Sequence, residues 1–399
     1  MRALLIVLDS FAVGNAPDAA RYNDQGADTV GHLYSEVPDI HLPTLFSLGL
    51  GEIIRGRVFD PPVRKCAASY GRMRPRSVGK DTITGHWELA GAITLDPFAT
   101  FEHFPDQLVS AIGCEAKVEF LGNYARGGAI VLNELAEEHL RTGKPILYTS
   151  ADSVMQIAVH ERVMPRSRLY EICRIARRHC DEWHIGRVIA RPFVGEPGNW
   201  RESPGRHDYS MVPPRTVLNA ISEMGLPVEG VGKIGDIFAC SGVTRSHPTT
   251  CNAESLQVIE QIWGSPQNGM LFANLGDFDS LYGHRRDPHG YARALEHFDD
   301  WLTDFLEEID SDDLLIITGD HGNDPTFHGT DHTREEVPVI VRYDGRTGPL
   351  GIRDSFADVA ATLTGFFGLN KAGEQWPIGK PLITFHRPYG FTRGVAVGE

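Results

Sequence analysis

Three aspartates and three histidines in this 399-residue chain stand where they could gather metal ions. Asp279 and His284 share the stretch DFDSLYGHRRD, Asp320 and His321 are adjacent in ITGDHGND, His332 follows in GTDHTRE, and Asp9 closes the apolar run ALLIVL. Carboxylate oxygens with imidazole nitrogens make a ligand set suited to Mn²⁺ or Zn²⁺. Two ionised carboxylates about 4 Å apart repel by roughly 4 kcal/mol at an effective dielectric near 20. Three of them at one sheet edge therefore call for protons or for a dication between them. Taken singly, an Asp after a strand reads as a turn former and a loop His as a surface imidazole. The joint order Asp…Asp-x₄-His…Asp-His-x₁₀-His is what points to metal.

A hydroxyl completes the chemistry. In GKDTITGHWELAG, Asp81-Thr82 opens a segment whose pattern predicts a helix through Trp87 and Glu88. The N-terminus of a helix presents free N–H groups and a positive dipole end to an approaching phosphate. An alcohol is a poor nucleophile at neutral pH, but metal coordination lowers the pKa of water from about 15.7 to about 7. Thr82 beside a metal would be activated in the same way without a histidine base. The plainer alternative is a helix-capping or turn threonine with no chemistry. Thr84, further inside the turn, has the weaker claim.

These groups need a scaffold that brings distant segments to one edge. Ala3–Leu8, Gly269–Leu275 and Asp313–Gly319 are short apolar runs that end at acidic residues, the pattern of buried parallel strands. Helical periodicity separates them: from Pro288 through Ile309, Ala253–Trp263, Thr216–Met224 and Ser355–Phe367. Alternation of this kind predicts an α/β core, a mostly parallel sheet with helices on both faces and ligands outside the carboxyl ends of its strands. Residues 97–212 lack the strand-then-Asp signature, and GRVIARPFVGEPGNWRESPGRHDY is rich in Gly, Pro and Arg. They read as a smaller α+β domain inserted into a core built from 1–96 and 213–399.

Composition narrows the class. Hydrophobic residues are 41% and charged residues 23%, as in ordinary globular proteins, and the formal net charge is −15. No dense Lys/Arg stripe offers a face for nucleic acid. Cys66, Cys114, Cys173, Cys180, Cys240 and Cys251 follow no zinc or disulfide spacing, which suits a reducing compartment. The apolar run before Asp9 is too short for a signal peptide, and no stretch reaches the length of a membrane span. A soluble, cytoplasmic protein is expected.

The motifs VLDSFAVGNAPDA, GADTVGHL, GKDTITGHWE, YTSADSVMQIAVHE, GRVIARPFVGEPGN, RHDYS, VGKIGDIF, FDSLYGHRRD and DHGNDPTFHGTDHTRE resemble those of phosphopentomutases. The resemblance implies an alkaline-phosphatase-like core, an inserted cap domain and two Mn²⁺ ions. It implies interconversion of α-D-ribose 1-phosphate and D-ribose 5-phosphate, with their 2-deoxyribose analogues. It also implies that Asp9, Asp320, His321 and Thr82 surround one metal while Asp279, His284 and His332 hold the other. Thr82 would carry the phosphoryl group, and a sugar bisphosphate such as glucose 1,6-bisphosphate would prime the enzyme. For the sugar or its distal phosphate, Ser150, Asp152, Arg191 and Arg206 of the insertion and Lys233 of the core are the candidates, since Arg suits bidentate phosphate contact and Asp suits sugar hydroxyls. Gly276 and Gly319 stand where the resemblance leads one to expect Val and Ala. The competing readings are a metal-dependent phosphatase or phosphodiesterase on the same core, and a sugar-phosphate binding protein without turnover.

Overall fold

The run Arg2–Leu8 becomes a strand because its side chains are apolar on both faces, and both faces are covered. Leu4, Ile6 and Leu8 pack in one core with Leu295, Phe298 and Leu302 of the helix Pro288–Phe305 and with Ile259 and Trp263 of the helix Asn252–Trp263. Ala3, Leu5 and Val7 point the other way and are equally buried. The computed structural model describes residues 1–56, 58, 65–150, 153–265, 268–369 and 379–385.

The chain divides into two compact units, Met1–Leu95 with Pro213–Glu399, and Asp96–Val212. The larger unit holds an eight-stranded sheet in the order Arg245–His247, Val228–Val231, Gly269–Leu275, Arg2–Leu8, Leu314–Thr318, Val337–Arg342, Ser69–Met73, Gly348–Arg353. Only Val337–Arg342 runs against the other seven strands. The three strands expected to end in acidic residues are neighbours at the centre. Arg2–Leu8 lies in parallel register between the other two, with Leu8 opposite Leu275 and Val7 opposite Thr318. Asp9, Asp320 and the turn bearing Asp279 therefore leave the sheet at the same edge.

Backbone detail sharpens that edge. Ser10 adopts φ +73, a left-handed conformation unusual for a residue with a side chain, and its N–H donates to Asp320 Oδ1 at 3.0 Å. Gly319 is required where it stands: a Cβ there would lie 2.0 Å from the Phe11 carbonyl oxygen. At Gly276 a Cβ would come within 2.9 Å of Lys233 Cε. The Gly319 departure thus avoids a backbone clash, whereas at Gly276 the neighbour is the far end of a flexible lysine.

The smaller unit has a mixed sheet in the order Leu121–Ala125, Ile146–Thr149, Val154–His160, Arg187–Glu196, Asn199–Glu202, with His207–Ser210 also paired to Arg187–Glu196. Leu169, Ile172 and Ala176 of the helix Arg166–Asp181 and Leu108 and Ile112 of the helix Asp106–Ala116 cover one face. Val131, Leu132 and Ala136 of the helix Gly128–Thr142 cover the other. Among the described residues no helix is long and apolar enough to cross a membrane.

Candidate metal centre and nucleophile

Each ligand candidate is delivered by a different device. Asp9 follows the central strand, its N–H bonded to Leu275 O at 3.2 Å. Asp279 lies in a π-helical turn, Phe278–Gly283, in which His284 N donates to Asp279 O at 2.9 Å. An α-helix would place residues five apart on different faces, at about 100° per residue. The wider turn instead brings the His284 ring to Asp279, Nε2 to Oδ2 at 3.4 Å. His332 returns on a loop closed by paired bonds between Gly322 and Thr333, which sets its ring 4.1 Å from that of His321, centroid to centroid.

The side chains form one continuous constellation, buried except at half-buried His284. Asp9, Asp320 and His321 place ligand atoms within 4.8 Å of one another, and so do Asp279, His321 and His332. His321 belongs to both groups, a sharing that the resemblance did not suggest. His284 joins through His332, Nε2 to Nε2 at 3.2 Å. His321 Nδ1 faces Gly322 O at 3.1 Å and His284 Nδ1 faces Thr330 O at 2.8 Å. Carbonyls only accept, so each Nδ1 carries a proton and each Nε2 is the nitrogen turned into the cluster.

Two buried oxygens, Asp9 Oδ1 and Asp320 Oδ2, accept no hydrogen bond. Each lies 3.4 Å from His321 Nε2. Buried polar atoms without partners are rare in native proteins and mark the place of an ion or water. The donor set, its burial and these orphaned oxygens fit divalent metal ions.

The electrostatics agree. Burial opposes charge on Asp9, yet the Lys233 ammonium and His321 hold its carboxyl below the ordinary range. Burial likewise works against Asp279, but His332 and His284 draw it well down. His321 would be neutral from burial alone, and the charges of Asp320, Asp9 and Asp279 push it up to about 10. Asp9 and Asp279 are thus kept ionised, and positive charge is favoured among them.

Thr82 is the first residue of the helix Thr82–Leu89, and its Oγ1 lies 3.2 Å from His321 Nε2. Asp81, rather than Thr82, caps the helix, its Oδ1 accepting from Ile83 N at 3.0 Å and Thr84 N at 3.1 Å. The expected open N–H cradle for phosphate is therefore filled by the carboxylate next door, and the Thr82 hydroxyl is left facing the cluster. The Thr84 hydroxyl turns back to Asp81, at 3.0 Å from Oδ2. Gly85 lets the helix seat against Asp320, since a Cβ there would lie 2.2 Å from its carbonyl oxygen.

Of the residues suggested for the sugar or distal phosphate, Lys233 sits in the core with Nζ 3.0 Å from Asp9 Oδ2. In the smaller unit, Ser150 lines a cavity of about 450 Å³ with Arg126 and Gly127. Arg191 pairs with Glu202, and its buried Nε has no partner. Arg206 grips Asp208 through two bonds of 2.9 and 3.0 Å. Asp152 lies outside the described residues.

Three contributors escaped the sequence reading. Asn323 donates to Asp279 Oδ1 at 2.7 Å. Buried Arg334 bonds the carbonyls of Ser77 at 2.7 Å and Pro75 at 3.0 Å, and that of Gly79, pinning the loop before Thr82. Asn274 donates to Asp9 Oδ2 at 3.1 Å. Only Asn274 left a signal, as the one amide inside the apolar strand GMLFANL.

Behind the ligand loop, Glu335 is buried and accepts from Thr29 N at 2.8 Å and from the hydroxyls of Thr29 and Thr333 at 2.7 and 2.6 Å. Burial, opposed by these donors and aided by Asp324, raises its carboxyl from 4.5 to about 7. A raised carboxyl favours the folded state at low pH and loses that contribution as pH climbs from the unfolded to the folded value. Glu335→Gln is therefore expected to abolish a loss of about 3 kcal/mol in wild-type stability that accrues from about pH 4.5 to 7. Urea unfolding across that range is the check, and parallel profiles for the two proteins would refute the assignment.

Comparison with known proteins follows the same line. A model of the metalloenzyme superfamily matches residues 1–371. A phosphopentomutase of Syntrophotalea carbinolica is 48% identical over 373 residues, covering 92% of this chain and 95% of the relative. The chain belongs to the phosphopentomutase family. A second phosphopentomutase, from Caldanaerobacter subterraneus subsp. tengcongensis, is 47% identical over 375 residues, covering 92% and 94%. Among solved structures, a phosphoglycerate mutase of Leishmania mexicana is similar at 12% identity and TM-score 0.48, covering 95% of this chain and 97% of that one. The PH0037 protein of Pyrococcus horikoshii is similar at 15% and 0.47, covering 93% and 98%. As a phosphopentomutase family member of the metalloenzyme superfamily the protein is an enzyme, a phosphomutase, and its core is α/β.

Proposed function

We propose that this enzyme interconverts α-D-ribose 1-phosphate and D-ribose 5-phosphate, and the 2-deoxyribose analogues, through a phosphothreonine at Thr82 and a pentose bisphosphate. The observation that carries the reading is the Thr82 hydroxyl, 3.2 Å from His321 Nε2 in a cluster whose Asp9 and Asp320 each leave an oxygen without a partner. Two Mn²⁺ ions are the proposed cofactors, one held by Asp9, Asp320 and His321 beside Thr82, the other by Asp279, His284 and His332. Bound there, they supply charge stabilisation to the transferring phosphoryl group and acidify the threonine hydroxyl.

The chain's own groups do the rest. Phospho-Thr82 gives its phosphoryl group to the free hydroxyl of a pentose monophosphate: the bond from Thr82 Oγ1 to phosphorus breaks as the sugar oxygen bonds to phosphorus, and the proton the sugar hydroxyl gives up is balanced by the one Thr82 Oγ1 takes up on becoming a hydroxyl again. The bisphosphate turns over, and Thr82 Oγ1 accepts the other phosphoryl group. Lys233 holds Asp9 ionised and lies where a phosphate oxygen could be met. Ser150, Asp152, Arg191 and Arg206 recognise the pentose and its distal phosphate, and the insertion, residues 97–212, acts as the cap that keeps water from the phosphothreonine. The proposed setting is the cytoplasm, and the proposed primer is a sugar bisphosphate such as glucose 1,6-bisphosphate.

The test is ³¹P NMR of ribose 1-phosphate incubated with the enzyme, Mn²⁺ and that primer. Ribose 5-phosphate should accumulate to equilibrium. Inorganic phosphate without ribose 5-phosphate would show a phosphatase instead.

A further inference from the structure

The inner side of the nucleophile helix carries a buried histidine with work on both ring nitrogens. His86 has no exposure and stacks on Phe272, centroids 5.7 Å apart. Its Nδ1 lies 2.8 Å from the carbonyl oxygen of Thr82 and 3.1 Å from Asp320 Oδ2. Its Nε2 lies 3.3 Å from Asn274 Nδ2, and the same amide nitrogen lies 3.1 Å from Asp9 Oδ2.

Chemistry permits one assignment of protons along this line. The Thr82 carbonyl and the Asp9 carboxylate can only accept. His86 therefore keeps its proton on Nδ1 and accepts at Nε2, and Asn274 spends one amide hydrogen on His86 and the other on Asp9. A flipped amide would set its oxygen against a carboxylate and an imidazole lone pair. The orientation has a visible consequence, because Asn274 Oδ1 is buried without a partner. Asp9 Oδ2, taken by Asn274 and by Lys233 Nζ, is anchored, and Oδ1 is the oxygen left to face His321.

We propose that His86 and Asn274 are positioning residues for phosphoryl transfer. They tie the backbone of Thr82 to the carboxylate of Asp9, so that one line of hydrogen bonds sets both the attacking hydroxyl and the metal-facing oxygen. The inference rests on the reading of Thr82 as the phosphoryl carrier. Partners that orient metal ligands typically change affinity or activity by about 10–100-fold when removed.

The test uses the full-length protein and three readouts: Mn²⁺ affinity by calorimetry, phosphate on Thr82 by intact mass after priming, and kcat and KM for ribose 1-phosphate. Asn274→Asp keeps the shape and turns the donor into an acceptor. It should weaken Mn²⁺ and lower kcat by about 10–100-fold each, with KM within about threefold. His86→Gln carries both an acceptor and a donor, but with its oxygen turned to Asn274 its NH₂ no longer stands where Nδ1 meets the Thr82 carbonyl, so Mn²⁺ affinity should hold within about threefold while kcat falls at least about tenfold. His86→Leu should lose both. The double variant His86→Leu/Asn274→Leu should bind Mn²⁺ no worse than the weaker single variant, because the pair acts as a unit. Wild-type Mn²⁺ affinity and kcat in a folded Asn274→Asp protein would overturn the proposal, as would additive losses in the double variant. Wild-type enzyme that takes no phosphate on Thr82 would overturn the nucleophile reading instead, and with it the link to catalysis. The Mn²⁺ arm would still decide whether Asn274 sets Asp9.

Discussion

Replacing Thr82 with alanine should remove isomerisation almost completely, by about 10⁴-fold or more in kcat, while leaving the protein folded and able to bind metal. Loss of a covalent nucleophile is among the largest single-residue effects in enzymes, because the remaining groups stabilise a transfer that no longer has an acceptor. The neighbouring hydroxyl cannot substitute, since Thr84 Oγ1 is held to Asp81. Nor does the helix depend on the Thr82 side chain, because Asp81 supplies the cap. Thr82→Ser, which keeps the oxygen, should retain measurable turnover. Intact mass and ³¹P NMR read the two variants together. Isomerisation by Thr82→Ala at wild-type rates would mean that the phosphoryl group travels by another residue.

Chelation of divalent ions should have an effect of similar size on activity and a second one on stability. Asp9, Asp279 and Asp320 are all nearly fully buried, Asp9 and Asp320 offer ligand atoms within 4.8 Å of each other, and two ionised carboxylates about 4 Å apart cost roughly 4 kcal/mol at an effective dielectric near 20. His321 and Lys233 offset part of this, but the orphaned Asp9 Oδ1 and Asp320 Oδ2 show that the protein's own donors do not complete the site. A ligand at about 100 times its dissociation constant stabilises by about 2.7 kcal/mol. For a chain of 399 residues, at about 2.1 cal/mol/K of unfolding entropy per residue, that corresponds to a Tm lower by roughly 3 °C for each ion removed by chelation. Turnover should fall by about 10³-fold or more and return with added Mn²⁺. Calorimetric scans and rates before and after restoration measure both. A chelated enzyme with unchanged Tm and unchanged rate would remove the metal from the argument.

Much of this centre could be read from linear order. ALLIVL, GMLFANL and DLLIIT are apolar without alternation, and such runs have few options besides a doubly covered strand. The residue after each run then lies at a sheet edge, which is why Asp9, Asp320 and the Asp279 turn stood out. Asp81-Thr82 before a helical pattern likewise placed a hydroxyl at a helix start. Residues 97–212 stand apart in the sequence as the stretch without strand-then-Asp runs, and the compact unit Asp96–Val212 has a sheet and cores of its own.

Other features lay beyond local pattern. Asp81 took the capping role that might have fallen to Thr82, because a carboxylate one residue earlier reaches two N–H groups. Arg334 and Asn323 sit in stretches whose spacing says nothing of their partners, which arrive from segments far away in the chain.

Residue types and apolar runs alone determined that this chain builds a parallel-strand core whose ends carry aspartates, histidines and a hydroxyl. Tertiary structure decided which atoms meet: that Asp9 and Asp320 adjoin because Arg2–Leu8 lies beside Leu314–Thr318, that His321 stands in both ligand groups, and that Asn274 turns one Asp9 oxygen inward. The division has a physical cause. Strand and helix formation depend on neighbours within a few positions, whereas the direction of a lone pair depends on a hydrogen-bond partner supplied from elsewhere in the sheet.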